Sequence, residues 1–225
     1  MYCFDRPTLS AELGLPFVTE PTGDLVAYYS VVRGDYRFVF LDNYDETVLS
    51  RNGGKKTAAD KLLNSKNPNY ASGSANHPYP DSPTSLNRRF VSFNGGLGDL
   101  QLSWLTTELE ASRTLHQSVI ISSHQPIHPS TTPPICLPYN YLPLLSLVHS
   151  YSDVVTLTLS GHTHKSGYVE DGGVAFLVVP AVLESGPPVE TYGILEVYED
   201  RIEVRGEGEF ESRTVFTKGT KGGRG

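Results

Sequence analysis

Short runs of β-branched and aromatic residues recur along the chain and predict β-strands. Four such runs occupy residues 25–32, 36–43, 118–123 and 153–160. The first two are separated by the turn sequence Arg33-Gly34-Asp35, so we expect them to form a hairpin. The last two are almost entirely apolar at their centres, which is typical of strands buried inside a sheet.

Stretches with apolar residues at helical spacing lie between these strands. One predicts an amphipathic helix over residues 99–115, with Asp99 as its cap. Another predicts a helix over residues 139–152. From residue 173 onward the pattern changes to consecutive strands. This order of elements favours an α/β fold in which a two-layer β-sandwich is flanked by helices.

Residues 51–89 differ from the rest of the chain because they are rich in Gly, Pro, Ser and Asn. Seven basic minus two acidic residues give this segment a charge of +5, within a chain of formal net charge −7. We expect a loop insert, for which a solvated loop and a basic lid over an anionic substrate are the two interpretations. The charged residues are Arg51, Lys55, Lys56, Lys61, Lys66, Arg88 and Arg89 against Asp60 and Asp81.

The bulk composition excludes several classes of protein. The net charge of −7 gives no overall attraction to nucleic acid or to an anionic membrane, so neither is an expected partner. The sequence shows no apolar run as long as a membrane span and no signal-peptide pattern at its start. Its two cysteines, Cys3 and Cys136, do not make a disulfide framework. We therefore expect a cytoplasmic protein.

Three histidines follow two of the predicted buried strands and are the candidate metal ligands. His124 comes directly after the first of these strands, and His162 and His164 come after the second. Side chains two residues apart in an extended chain point the same way, so we expect His162 and His164 to face one site, with His124 across from them. Neutral imidazoles suit zinc, manganese or iron. His128 is expected to be a hydrogen-bonded surface residue.

The stretches around these histidines, SSHQPIHP and LSGHTHKSGY, resemble the last two metal motifs of the calcineurin-like metallophosphoesterase superfamily. Longer stretches are similar, in order, to manganese-dependent ADP-ribose/CDP-alcohol diphosphatases. These stretches are YRFVFLDNYD, FNGGLGDLQLSWL, ICLPYNY, GHTHKSGYVEDGGV and GILEVYEDRIEVRGEG. The resemblance makes residues 1–216 the C-terminal part of one metallophosphoesterase domain, with the basic insert at 51–89 and a flexible tail at 217–225.

The resemblance implies a hydrolase that cleaves the diphosphate bond of ADP-ribose, CDP-choline, CDP-glycerol or a related small-molecule nucleotide. It implies two divalent metal ions, with manganese first and zinc, iron or magnesium as alternatives. His162 and His164 are then divided between the two metals, and His124 joins the second. Cys136 and Asn140 border the nucleotide pocket. Two alternatives stay open here: Leu97 lines that pocket or packs in the core, and Cys136 is a pocket residue or an inert buried thiol.

The superfamily's first three metal motifs, which include the bridging carboxylate, have no counterpart in the chain. Asp99-Leu100-Gln101 and Asn76-His77 match fragments of them in the wrong context. We therefore identify no catalytic residue, and we expect an N-terminally incomplete domain with exposed apolar strand faces and little or no hydrolase activity. For Asp42 and Asp45 we expect hydrogen bonds that orient a metal ligand or stabilise the fold, rather than direct ligation of a metal. The alternatives are a non-catalytic metal- or nucleotide-binding remnant and a phosphomonoesterase.

Overall fold

The computed structural model describes residues 6–49, 53–74, 77, 82–186 and 189–218. Cys3, Asn76 and most of the predicted tail lie outside these residues. The helices are α1 (Arg6–Leu13), α2 (Gly53–Lys66), α3 (Pro68–Ala71), α4 (Asp99–Thr114) and α5 (Tyr141–Ser150). The strands are β1 (Val18–Thr19), β2 (Leu25–Val26), β3 (Tyr29–Arg33), β4 (Tyr36–Phe40), β5 (Ser118–Ser122), β6 (Val155–Ser160), β7 (Gly167–Asp171), β8 (Val174–Val178), β9 (Tyr192–Val197), β10 (Arg201–Glu207) and β11 (Arg213–Phe216).

Among the described residues, six strands form one mixed sheet in the order β3-β4-β5-β6-β8-β7. β3 and β4 pair antiparallel, so the predicted hairpin is confirmed. β4, β5, β6 and β8 then pair in parallel. The carboxyl ends of neighbouring parallel strands meet at one edge of a sheet. The loops after β5 and β6, which carry the candidate histidines, therefore lie side by side.

Both faces of this sheet are covered by other elements. On one face Leu105 of α4 and Leu144 of α5 pack with Ile121 of β5 in an apolar cluster. On the other face Ile202 of β10 packs with Ile120. Within the described part of the chain, β9, β10 and β11 form this second sheet. The predicted two-layer sandwich flanked by helices is confirmed.

The expectation that the strands before the histidines expose apolar faces is wrong. Nearly every residue of β5 and β6 is buried, because helices cover one side of the sheet and the second sheet covers the other. Exposed apolar side chains lie instead on β9, which is an edge strand of the second sheet. They include Tyr192, Ile194 and Val197.

A large part of the basic segment that was expected to be a loop is helical. α2 contains few apolar residues, but Ala59 and Leu63 lie four residues apart on one face and are both buried. Lys55, also on α2, forms ion pairs with Glu20 at 2.6 Å and with Asp45. This contact joins α2 to the main body of the protein. The Lys55 ammonium therefore has a structural role that the lid interpretation did not foresee.

The two predicted core helices begin close to their expected positions. The N-cap of α4 is Gly98 and not Asp99, which lies in the first turn. A carboxylate in that turn still stabilises the helix through the helix dipole. Pro143 lies in the first turn of α5, where its missing N–H has no intrahelical partner. Across the described residues, no helix combines the length and the apolar character that crossing a membrane requires.

Candidate metal centre

β5 and β6 bring two of the candidate histidines into contact. The strands pair in parallel and end at Ser122 and Ser160, and beyond them the Gly161 N–H donates to the His124 carbonyl at 3.0 Å. This alignment leaves His124 Nε2 at 3.0 Å from His162 Nδ1. The two ring centroids are 4.8 Å apart in an edge-to-face arrangement.

Asn94 fixes which nitrogen of His162 carries the proton. The Asn94 Nδ2 group donates to three backbone carbonyls of the adjoining loops, so its Oδ1 is the atom that faces His162. That Oδ1 lies 3.1 Å from His162 Nε2, which must then be the N–H donor. The Nδ1 lone pair of His162 therefore points toward His124 Nε2. This is the tautomer that a metal ion bound through Nδ1 needs.

The surroundings of the pair favour neutral imidazoles, the form that ligates metals. Desolvation, followed by the nearby His124 and His164, lowers the pKa of His162 to about 4. Desolvation, followed by His164, also lowers the pKa of His124, although this ring keeps solvent-exposed surface. At neutral pH a metal ion would therefore not have to displace a proton from an imidazolium at His162.

His164 is bonded to a carboxylate of its own, Glu184. β6 ends at Ser160, and both His162 and His164 have a left-handed backbone, with φ of 65° and 61°. Strand alternation therefore does not set their directions, and that reason for a shared site was wrong. His164 Nδ1 lies 2.8 Å from Glu184 Oε1. Because a carboxylate only accepts, Nδ1 carries the proton and Nε2 is free to ligate a metal.

The aspartates near the site are used in structural hydrogen bonds. Asp42 pairs with Arg6, and Asp45 pairs with Lys55 and accepts from Gln101 Nε2 at 3.1 Å. Structural hydrogen bonding, one of the two roles expected for them, accounts for these contacts.

Within the ranges that the structure describes, no group of three His, Cys, Asp or Glu side chains has an arrangement that could hold a metal ion.

The three candidate substrate-binding residues have different surroundings. Leu97 is 1% exposed and belongs to the apolar core, which favours the packing role for its side chain. The amide of Asn140 binds the Leu97 main chain, accepting from its N–H at 3.1 Å and donating to its carbonyl at 2.7 Å. Cys136 is half-buried, and burial raises the pKa of its thiol.

Asn94 and Glu184 each hold a candidate ligand, although neither was predicted from the sequence. Asn94 is fully buried and lies in the stretch FNGGLG, whose similarity to the diphosphatases was the available signal. Glu184 lies in a loop after β8 and offers no pattern that links it to His164. His128 is hydrogen-bonded as expected, since it accepts from the Ser130 N–H and contacts Asp171 at 3.2 Å, but it is buried and not the surface residue that the sequence predicted.

Comparisons with known proteins agree with this architecture. No protein-family model matches the chain. The manganese-dependent ADP-ribose/CDP-alcohol diphosphatase of Mus musculus is 35% identical over 204 residues, which are 89% of this chain and 57% of the relative. The protein of the same name from Danio rerio is 32% identical over 225 residues, covering 95% of this chain and 68% of the relative.

A solved structure gives the same result. The crystal structure of a dimetal phosphatase from Danio rerio matches with a TM-score of 0.83 and 30% sequence identity, over 95% of this chain and 68% of that chain. The chain therefore spans little more than half the length of the mouse relative and about two thirds of the zebrafish proteins.

Proposed function

Because the chain belongs to the manganese-dependent ADP-ribose/CDP-alcohol diphosphatase family, we propose that its histidine loops form part of a two-metal centre that hydrolyses nucleoside diphosphate compounds. The substrates would be ADP-ribose and CDP-alcohols such as CDP-choline and CDP-glycerol. The observation that carries the proposal is the 3.0 Å approach of His124 Nε2 to His162 Nδ1, with Asn94 holding the proton on the opposite nitrogen of His162.

The separation of these two nitrogens suits an octahedral cation. Metal–nitrogen bonds of about 2.1 Å at a right angle separate two ligand nitrogens by about 3.0 Å, whereas a tetrahedral angle separates them by about 3.4 Å. His124 and His162 are 3.0 Å apart. Manganese is the metal in the name of the relatives, and it is the ion that we propose for this pair.

The three histidines would serve two ions. His124 and His162 would ligate one ion, and His164, whose Nδ1 is bonded to Glu184, would ligate the other through Nε2. Glu184 orients His164 by accepting from its Nδ1. When bound, two divalent cations supply an activated water and neutralise charge on the phosphoryl oxygens. The contribution of this chain is to hold the imidazoles of His162 and His164 in place through Asn94 and Glu184.

We further propose that the 225 residues alone hydrolyse substrate slowly or not at all. Among the described residues, no carboxylate is hydrogen-bonded to His124 or His162. Three imidazoles do not fix two cations at the separation of about 3.5–4 Å that two-metal hydrolysis uses. The same observation favours a second candidate, a metal- or nucleotide-binding protein without catalytic activity.

Manganese binding tests the ligand assignment independently of activity. Electron paramagnetic resonance of free Mn²⁺ should show binding to the chain, and His162→Ala should weaken the affinity at least about 10-fold. His116→Ala is the matched control, because His116 is an exposed histidine with a left-handed backbone that precedes β5 at the opposite end of the sheet. Equal affinities of the two variants would eliminate His162 as a ligand.

Hydrolysis tests the reaction. The chain alone and a chimera with the unmatched portion of the zebrafish relative would be assayed for release of AMP from ADP-ribose and of CMP from CDP-choline. We expect manganese-dependent release from the chimera and little from the chain. Rapid release by the chain would overturn the incomplete-site argument. A chimera active only on p-nitrophenyl phosphate would indicate a phosphomonoesterase.

A further inference from the structure

An open cavity of about 420 Å³ lies directly beside His164. It is formed by the loop after β6, the loop after β8 and the turn between β10 and β11. Lys165 and Glu209 line it together with Glu184, the partner of His164. A volume of this size accommodates a small organic molecule next to the second proposed metal ligand.

The charges in this cavity are available to a ligand. Lys165 and Glu209 are both exposed, and within the described part of the chain neither the Lys165 ammonium nor the Glu209 carboxylate has a hydrogen bond or an ion pair with another side chain. The hydroxyl of Thr163 donates to the Lys165 carbonyl at 2.9 Å and accepts from the Lys165 N–H at 3.2 Å. The backbone that carries Lys165 is therefore fixed while its ammonium is not.

The lining also indicates which part of a nucleotide substrate would fit. Phe, Tyr and Trp are absent from the described residues that line the cavity, so no such ring is present on which a base could stack. A lysine suits a phosphate group, and carboxylates suit hydroxyl or ammonium groups. The alcohol or sugar phosphate half of an ADP-ribose or CDP-alcohol molecule carries both kinds of group.

We propose that this cavity binds the non-nucleotide half of the substrate, with Lys165 on its phosphate and Glu209 on its hydroxyl or ammonium groups. The inference rests on the proposed function, because it assumes a nucleoside diphosphate cleaved beside His164. Glu209, in the turn between β10 and β11 of the second sheet, would then discriminate between substrates. Phosphocholine and ribose 5-phosphate are the free halves of two such substrates and serve as probes.

Calorimetric titration of the manganese-loaded chain with three probes tests the assignment. Lys165→Met should weaken phosphocholine and ribose 5-phosphate about 3- to 5-fold each. Glu209→Gln should weaken phosphocholine by a similar factor and leave AMP unchanged. Glu211→Gln is the matched control, because Glu211 follows in the same turn but pairs with Arg213 and is absent from the cavity lining.

The outcomes separate this inference from the proposed function. Unchanged phosphocholine affinity in Glu209→Gln, or failure of phosphocholine to bind the wild-type chain, would overturn the cavity assignment. Loss of AMP affinity in Glu209→Gln would also overturn it, since the nucleotide half would then occupy the cavity. Absence of Mn²⁺ binding in the parallel resonance measurement would count against the metal centre, whatever the cavity binds.

Discussion

Two groups of charged side chains in this molecule, one around Lys55 and one around Lys165, differ in whether their charges are paired. Lys55 is 11% exposed and contacts Glu20 and Asp45, whose side chains are 3% and 0% exposed. Lys165 and Glu209 line an open cavity and, in the part of the chain that the structure describes, have no ion pair. The sequence around each lysine does not indicate which of the two is paired.

The charges around Lys55 stabilise the fold, whereas the charges around Lys165 are available for binding. Buried ions must be paired because desolvation of an isolated charge costs much free energy, whereas an exposed ion in a cavity stays hydrated until a ligand binds. The histidine pair lies between these extremes. Asn94 satisfies one nitrogen of His162, and the other remains directed toward His124.

The largest expected effect would break the paired group. Lys55→Ala leaves the buried carboxylates of Glu20 and Asp45 without their cation, and we expect it to lower the free energy of unfolding by about 3 kcal/mol. Urea denaturation measures this change. Lys56→Ala, at an exposed position of the same helix, should change stability by less than about 0.5 kcal/mol. Similar losses in both variants would mean that the ion pairs contribute nothing.

An intermediate effect is expected where structure and binding overlap. Asn94→Ala removes the amide donor from the Ile135 and Leu137 carbonyls and frees His162 to rotate, so stability should fall by about 2 kcal/mol and Mn²⁺ affinity by about 10-fold. Asn67→Ala is the control. Asn67 is also fully buried, and its amide donates to the carbonyls of Phe90 and His77 and not to His124 or His162. Its loss should lower stability without changing Mn²⁺ affinity.

The smallest expected effect concerns Glu46, beside the paired group. Desolvation, followed by Asp45 and Asp99, raises the pKa of Glu46, so the folded protein keeps its proton to higher pH than the unfolded chain. Stability contributed by this proton is present below the ordinary pKa and is lost as pH rises through the raised value. Glu46→Gln should therefore stabilise the protein by roughly 0.5 kcal/mol at pH 7 and not at pH 4, measured by urea denaturation. A stabilisation that is the same at both values would remove Glu46 as its cause.

Most of the sheet could be predicted because its strands have distinct sequence patterns. β5 and β6 are short apolar runs next to polar loops, and α4 repeats leucines at helical spacing. α2 was missed because its surface is polar and only Ala59 and Leu63 reach the core. Burial that depends on two residues within fourteen leaves no clear period for a sequence analysis to detect.

The candidate site could be predicted only in part, for a related reason. Strand ends identify His124 and His162 because parallel register alone brings them together. Their partners come from loops distant in sequence, with Asn94 68 residues before His162 and Glu184 20 residues after His164. Their choice depends on tertiary packing, which spacing along the chain does not encode. The direction of His164 was unpredictable because it depends on backbone angles after the strand has ended.

Because His162 and His164 have a left-handed backbone, selection for stability and selection for metal binding act in opposite directions at these positions. A residue with a Cβ atom in this conformation costs about 1 kcal/mol or more, and glycine avoids most of that cost. A laboratory search for thermostable variants, blind to metal binding, would therefore accept glycine at the exposed His164 more readily than at His162, whose N–H satisfies the buried Asn94 oxygen. A lineage that keeps both histidines accepts a less stable loop for as long as the imidazoles are in use, and drift toward glycine here would record the loss of that use.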